Sequence, residues 1–546
     1  MIKKLLKKEY LWIILMVIAV YIGSYYGVIY RMRNGIEGRM YLGFIASPFD
    51  TIGNLTSVQR GYAGNWTKYS YITSVIPSER LYWRLEYMSI GHIARILGIN
   101  PVSMFKIATL VLSGIYLVLI YRFISALFPS PLIRMIGFFL CLFSTGVIIP
   151  GIHKGWIVVR SDMQVFQRTT ALQIHYLLAA ITTLISIMGL SKSIFDKKPA
   201  GFIISCIAGF VCAYVFTPAS IVLISSLFPF AIYLIFSVKL KKDLLRIFGL
   251  LFVYAVFSIV PVIYLFLNRN KYDLNIFTLS EYLLKSNIDA LSYILFVGPV
   301  MITALLALPL VLKQGNRLMV LIASYVLVHP FCTLVLAPIL KVNPMRFIQT
   351  PYFIMYAVLS TLWFEKLYLK LRKITTKLVA LGLSVFLVLI IIIPSISTYK
   401  LSLNYFSEMH DWDFFDLGYP YQDEMKVIQY LASIDRKEDV VLSDVMAGTI
   451  LQAYSTKKAV ATWFVINFLP SDTSANILNP IRIFYKQEMS NDQAREFLKN
   501  NSISYVLFTE IEWSHLFYAT GKTELSYPFL VPLFRSGKDI LYKVNL

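Results

Sequence analysis

The side chains of this sequence that could move a proton are few and unevenly placed. Residues 1–397 hold twelve Asp and Glu, and none falls deep inside an apolar stretch. Glu9, Asp196, Asp243 and Glu365 flank the apolar stretches on one side. Glu37, Asp50, Glu79, Glu86, Asp162, Asp273, Glu281 and Asp289 lie in segments on the other. A charge inside hydrocarbon costs at least ~2.5 kcal/mol and is kept mainly along ion pathways. This distribution argues against an ion-coupled carrier and for chemistry at one surface. Asp50 stands in IASPFDTIGNLTSVQRGYAGNW, just after the first apolar stretch. One reading makes it a general base. Another makes it part of a capping box, with Ser47 as N-cap and Pro48 at the first helical position. The two are compatible, because a helix start also orients the carboxylate. Asp162 is a second candidate acid, in HKGWIVVRSDMQVFQRTTALQIHY with Arg160, Arg168 and His175 nearby. Each of these also suits loop packing or headgroup contact, and His175 reads most simply as a buried polar residue with a local partner.

The elements that must hold these residues are membrane spans. Hydrophobic residues make up 57% of the chain, charged residues 15%, and the mean hydropathy is +0.66. About 20 apolar residues cross the ~30 Å of hydrocarbon at ~1.5 Å each. Such stretches fall at 10–30, 103–121, 133–150, 171–190, 201–217, 219–238, 247–267, 290–312, 318–337, 347–364 and 378–396, which predicts about eleven transmembrane helices. The first has a basic flank but is too long for a signal peptide and is followed by no small-residue cleavage site, so it reads as a retained span. The pair joined at Phe216-Thr217-Pro218 could instead be two half-length helices. Short basic connections alternate with long ones, and the basic ones, with Lys3, Lys4, Lys7 and Lys8, mark the cytoplasmic side. Segments 31–102, 151–170, 268–289, 338–346 and 398 onward then lie outside. Within 31–102, ERLYWRLEYMSIGHIARILGIN mixes aromatic, apolar and basic residues at helical spacing. That suits a helix in the membrane interface, or equally one that caps the bundle.

The net charge of +21 belongs to the membrane part: residues 1–397 carry 37 basic and 12 acidic groups, residues 398–546 carry 14 and 18. Basic groups between spans meet anionic headgroups of membrane lipids, so no nucleic-acid partner is expected. The four cysteines, Cys141, Cys206, Cys212 and Cys332, all sit in apolar stretches without metal spacing. After residue 398, YQDEMKVIQYLASI and NDQAREFLKN read as helices, and DVVLSD, KKAVATW and SISYVLF as buried strands. LVPLFRSGKDILYKV reads as two strands joined near Ser536-Gly537. The expected architecture is a membrane all-α bundle of about eleven transmembrane helices over residues 1–397. A soluble extracytoplasmic α/β domain over residues 398–546 completes it.

A first span, a long outer loop with an early Asp, then a Q-R-G-x-x-G-N-W pattern and an amphipathic helix resemble the GT-C superfamily of polytopic glycosyltransferases. NPMRFIQTPYFIMYA at 343–357 is similar to the Arg-bearing start of a late span in those proteins, and the tail resembles theirs from DEMKVIQYLASI to ILYKV. The likeness is nearest to bacterial members and covers nearly the whole chain, through loose patterns. It implies transfer of a sugar from a polyprenyl-phosphate donor, with inversion, to an envelope glycan, lipid or protein acceptor at the outer face of the plasma membrane. It implies Asp50 as catalytic base or metal ligand, with Asp162 as second acid, and Arg346 at the donor phosphate. Gln59, Glu79, Glu86, Arg160, Arg168 and His175 are the further candidate substrate contacts, and a divalent metal ion is the one candidate cofactor. Many relatives pair the first acid with a second, whereas Phe49 and Thr51 flank Asp50 here. That departure keeps an alternative open: a non-catalytic relative that binds or moves an envelope lipid or polymer.

Overall fold

Inside hydrocarbon every backbone N–H and C=O must be satisfied within its own segment, so the apolar runs of this sequence can only be helices. The structure, a computed structural model, describes residues 2–43, 48–67, 73–75, 81–147, 173–269, 288–314, 316–408, 417–435, 437–510, 512, 516, 518 and 520–546. In chain order the helices are α1 (Ile2–Arg33), α2 (Pro48–Ala63), α3 (Leu85–Leu97), α4 (Pro101–Leu127) and α5 (Pro131–Phe143). Next come α6 (Ile174–Phe195), α7 (Pro199–Val215), α8 (Thr217–Ser237), α9 (Lys241–Leu267), α10 (Ala290–Val297) and α11 (Val300–Gln314). The last of the apolar series are α12 (Arg317–Ile339), the single turn α13 (Met345–Ile348), α14 (Tyr352–Ile374) and α15 (Lys377–Glu408).

Every expected span therefore carries helix, but not all have the length of a span. Seven helices among the described residues are long and apolar enough to cross a membrane, or eight if α10 and α11 count as one. In the stretch expected at 133–150, α5 ends at Phe143, where Ser144 turns extended, and α7 has 17 residues. The stretch expected at 290–312 is broken by 88° between α10 and α11, where Gly298 at φ 73 precedes Pro299. The one expected from 347 begins at Tyr352, and Glu365 and Lys366 interrupt its apolar run. Phe216, at φ −151, separates α7 from the span-length α8.

Two compact units divide the chain. The first comprises Met1–Gly27, Leu110–Asn268 and Glu281–Phe406; the second comprises Val28–Thr109, Arg269–Ser280 and Ser407–Leu546. In the first, small residues let helices approach closely, as membrane packing favours. A Cβ added to Gly189 of α6 would lie 2.6 Å from the Gly201 carbonyl of α7. Residues Cys332–Leu336 of α12 form a π-helical segment two residues after Pro330.

In the second unit the C-terminal segment has the expected α/β form. It begins with α16 (Gln422–Ile434), β1 (Val440–Leu442), α17 (Val445–Tyr454), β2 (Lys458–Ala459) and α18 (Trp463–Phe468). It ends with α19 (Ser471–Tyr485), α20 (Asn491–Asn500), β3 (Ile503–Phe508), β4 (Leu530–Ser536) and β5 (Asp539–Val544). The sheet order is β2-β1-β3-β5-β4, with β2, β1 and β3 parallel and β4-β5 an antiparallel hairpin. Ser490 and Gln493 cap α20 reciprocally, and Asp444 caps α17 through the Met446 and Ala447 amides. Loop one packs into this same unit. Gln59 of α2 donates to the Ala453 carbonyl of α17 at 2.9 Å, and Arg60 pairs with Glu438. Asn65 donates to that same Glu438 at 2.8 Å. Packing thus joins α2 and the residues just after it to a segment that the sequence alone sets apart at 398.

Candidate active site

Arg346 occupies a turn built by its own neighbours. The Asn343 side chain accepts from the Met345 amide at 3.1 Å, and the Asn343 carbonyl accepts from the Arg346 amide at 3.0 Å. The guanidinium Nη1 then donates to the Tyr176 hydroxyl at 2.8 Å and to Gln349 Oε1 at 3.0 Å. Tyr176 closes the triangle by donating to Gln349 Oε1 at 2.8 Å. Its ring meets Phe216 edge-on, with centroids 4.9 Å apart and planes at 87°, and the His175 ring lies 4.0 Å away. The buried His175 is therefore part of the aromatic packing beside this triangle. A guanidinium is always charged, and here one of its nitrogens is fixed by two neutral acceptors. Such a group suits a phosphate or carboxylate.

The carbonyl one residue past Arg346 is held as well. Phe347 O accepts from His329 Nε2 at 2.9 Å and from the Thr350 hydroxyl at 2.8 Å. His329 lies in α12, fully buried, with its ring 4.7 Å from that of Tyr352 and nearly parallel to it. Its Nδ1 is 2.6 Å from the Tyr293 hydroxyl of α10, which is 3.0 Å from that of Tyr356 in α14. His329, Tyr176 and Gln349 belong to no acid pair or strict motif in the sequence. Only the intramembrane imidazole carried a signal, since an ionisable group within a span is a functional candidate by default.

Asp50 is the third residue of α2, in its first turn, and is exposed. Ser47, the expected cap, lies outside the described residues. What aims Asp50 is the seating of α2 against α3. A Cβ on Gly61 would lie 2.0 Å from the Met88 carbonyl, and one on Gly91 would lie 2.0 Å from that of Val58. The two backbones touch, so only glycine fits at either place. Trp66 stacks on His92 of α3, with centroids 3.8 Å apart. The Q-R-G-x-x-G-N-W pattern is thus, in this unit, the seam between α2, α3 and the C-terminal segment. Tyr87, Met88, Ile90 and Ala94 bury one face of α3, while Ile93, Ile96 and Leu97 are exposed.

The remaining candidates divide cleanly. The Gln59 amide is engaged by Ala453, and the buried Glu86 carboxylate lies 3.7 Å from Arg84 Nη1. Glu79, Arg160, Asp162 and Arg168 lie outside the described residues. Among the described residues no three of His, Cys, Asp or Glu gather closely enough to hold a metal ion.

No family model matches the sequence, and no curated protein does. The fold has solved relatives. The archaeal oligosaccharyltransferase AglB from Archaeoglobus fulgidus, in complex with an inhibitory peptide and a dolichol-phosphate, aligns with a TM-score of 0.52 at 12% identity. The alignment covers 94% of this chain and 72% of that one. The apo form of the Archaeoglobus fulgidus oligosaccharyltransferase gives 0.51, with the same identity and coverage. AglB is a GT-C superfamily glycosyltransferase. This chain has the GT-C fold. At such low identity the likeness is one of architecture, and it spans both units. Within this chain, the Arg346 triangle belongs wholly to the first unit and the α2–α3 seam wholly to the second.

Proposed function

We propose that this protein is a glycosyltransferase of the bacterial plasma membrane that moves a sugar from a polyprenyl-phosphate-linked donor to an envelope acceptor. The observation that carries the reading is the fold shared with an oligosaccharyltransferase solved with dolichol-phosphate and a peptide, over 94% of the chain. The Arg346 triangle supports it with a positioned cation, and the exposed Asp50 with a carboxylate on a rigidly seated helix. The N-terminus is cytoplasmic and the C-terminal segment extracytoplasmic, as the basic short connections imply. In the reaction the acceptor's nucleophilic atom attacks the anomeric carbon from the face opposite the phosphate. The bond from that carbon to the phosphate oxygen breaks, and the electron pair leaves with the phosphate. Asp50 takes the acceptor proton, and Arg346 stabilises the charge that develops on the departing phosphate.

Asp50→Asn in the full chain tests the base. A positioned base supplies ~10²–10⁴-fold in rate, so transfer of labelled sugar from a polyprenyl-phosphate donor should nearly vanish while the melting temperature holds. A capping role predicts the opposite pattern, a loss of about 1–2 kcal/mol in stability with turnover spared. That second pattern would reduce Asp50 to a helix cap and remove the best-placed acid from the mechanism.

A further inference from the structure

The first unit buries an ionisable side chain that the proposed reaction does not use. We propose that His329 is a positioning residue for Arg346, acting through the peptide that follows it; this rests on the reading of Arg346 as the phosphate ligand. The turn of α13 is four residues long, too short to hold itself. The Phe347 carbonyl can only accept, so His329 Nε2 carries the proton and the neutral ring's Nδ1 accepts from the Tyr293 hydroxyl, 2.6 Å away. With the Tyr293 proton spent on the imidazole, the Tyr356 hydroxyl of α14 donates its own proton to the Tyr293 oxygen, 3.0 Å away, and so joins the relay. The relay therefore ties α10, α12 and α14 to one carbonyl next to Arg346. Tyr352, stacked on the imidazole at 4.7 Å, donates to the Phe296 carbonyl at 3.1 Å at the end of α10. An ionisable side chain in a span is a functional candidate by default, and a satisfied buried network rigidifies the groups that it reaches. Here that order reaches the residue beside the cation.

The test measures binding of farnesyl phosphate, with farnesol as the uncharged control, to the full chain in detergent. His329→Phe keeps an aromatic ring and loses both nitrogens. It should weaken farnesyl phosphate binding about three- to tenfold, the worth of one such hydrogen bond, and leave farnesol binding unchanged. His329→Gln retains an amide donor and should restore most of the affinity. In an Arg346→Lys background His329→Phe should cost less, because the fork it positions is gone and a single donor remains to be placed. If His329→Phe does not fold, Tyr293→Phe should show the same selective loss at about two- to threefold. Unchanged phosphate binding, equal loss for farnesol, or equal losses in both Arg346 backgrounds would overturn the proposal. Should Arg346→Lys itself leave phosphate binding intact, the reading of Arg346 falls first, and this inference falls with it.

Discussion

Replacing Arg346 by Lys keeps the charge and removes the fork, which separates a bound phosphate from a snorkelling anchor. In the structure one guanidinium nitrogen is already shared between Tyr176 and Gln349, at 2.8 and 3.0 Å. The other nitrogens of the planar group keep their directions relative to that fixed one. An ammonium has three donors on one atom; if two remain with Tyr176 and Gln349, a single donor is left for phosphate. The loss is then about one charge-assisted hydrogen bond, ~1.5–3 kcal/mol, or roughly 10- to 150-fold in Kd. Titration of farnesyl phosphate into the detergent-solubilised full chain reads this directly, and farnesol reports any general damage to the apolar part of the site. Equal affinity of the Lys and Arg proteins for the phosphate would refute the reasoning. Arg346 would then be an interfacial anchor.

Other outcomes follow from the second unit. Asp539 opens β5 almost fully buried, and burial, with the charges of Asp423 and Glu510 behind it, pushes its carboxyl up to about 7. A folded value above the unfolded one means that the folded protein holds a proton the unfolded chain releases. Stability fully present below about pH 4 is therefore lost as pH rises from there through 7, by on the order of 4 kcal/mol in all. Thermal unfolding of the full chain should show a midpoint that falls over that range, and Asp539→Asn should flatten the fall; an unaltered pH profile in the variant would contradict it. The proposed orientation predicts that a cysteine introduced at Asp472 is labelled by an impermeant maleimide on intact cells and one at Lys370 is not. The reverse pattern would turn the topology over.

Local signals were the legible ones. The reciprocal cap at Ser490 and Gln493, the hairpin closed at Gly537 and the apolar runs of β1 and β3 declare themselves within a few residues, because backbone preference and burial agree there. The span count was less legible, since hydropathy records apolar composition and not where a helix stops. Ser144 and Gly298 end helices in stretches that read as continuous. The polar seat of Arg346 was hidden for another reason. Tyr176 and Gln349 are ordinary residues in sequence, and their role exists only once helices 170 residues apart bring one hydroxyl to one guanidinium. Loop one's attachment to the C-terminal segment was hidden likewise, because nothing beside Gln59 or Asn65 in sequence announces that the Ala453 carbonyl and Glu438 will be their partners.

That contact between Gly61 and Met88 makes α2 a lever with its fulcrum near one end. Asp50 stands eleven residues from Gly61 along a continuous helix, an arm of about 16 Å at ~1.5 Å per residue. A tilt of only about 5° at the fulcrum would carry the carboxylate sideways by roughly 1.4 Å, a displacement comparable to those that cost about 100-fold in rate when a reacting group is misplaced. With no side chain between the two backbones there is nothing compliant at the pivot, and angular error has nowhere to be absorbed. The aim of the acid is therefore set by a place with no ionisable group, eleven residues away.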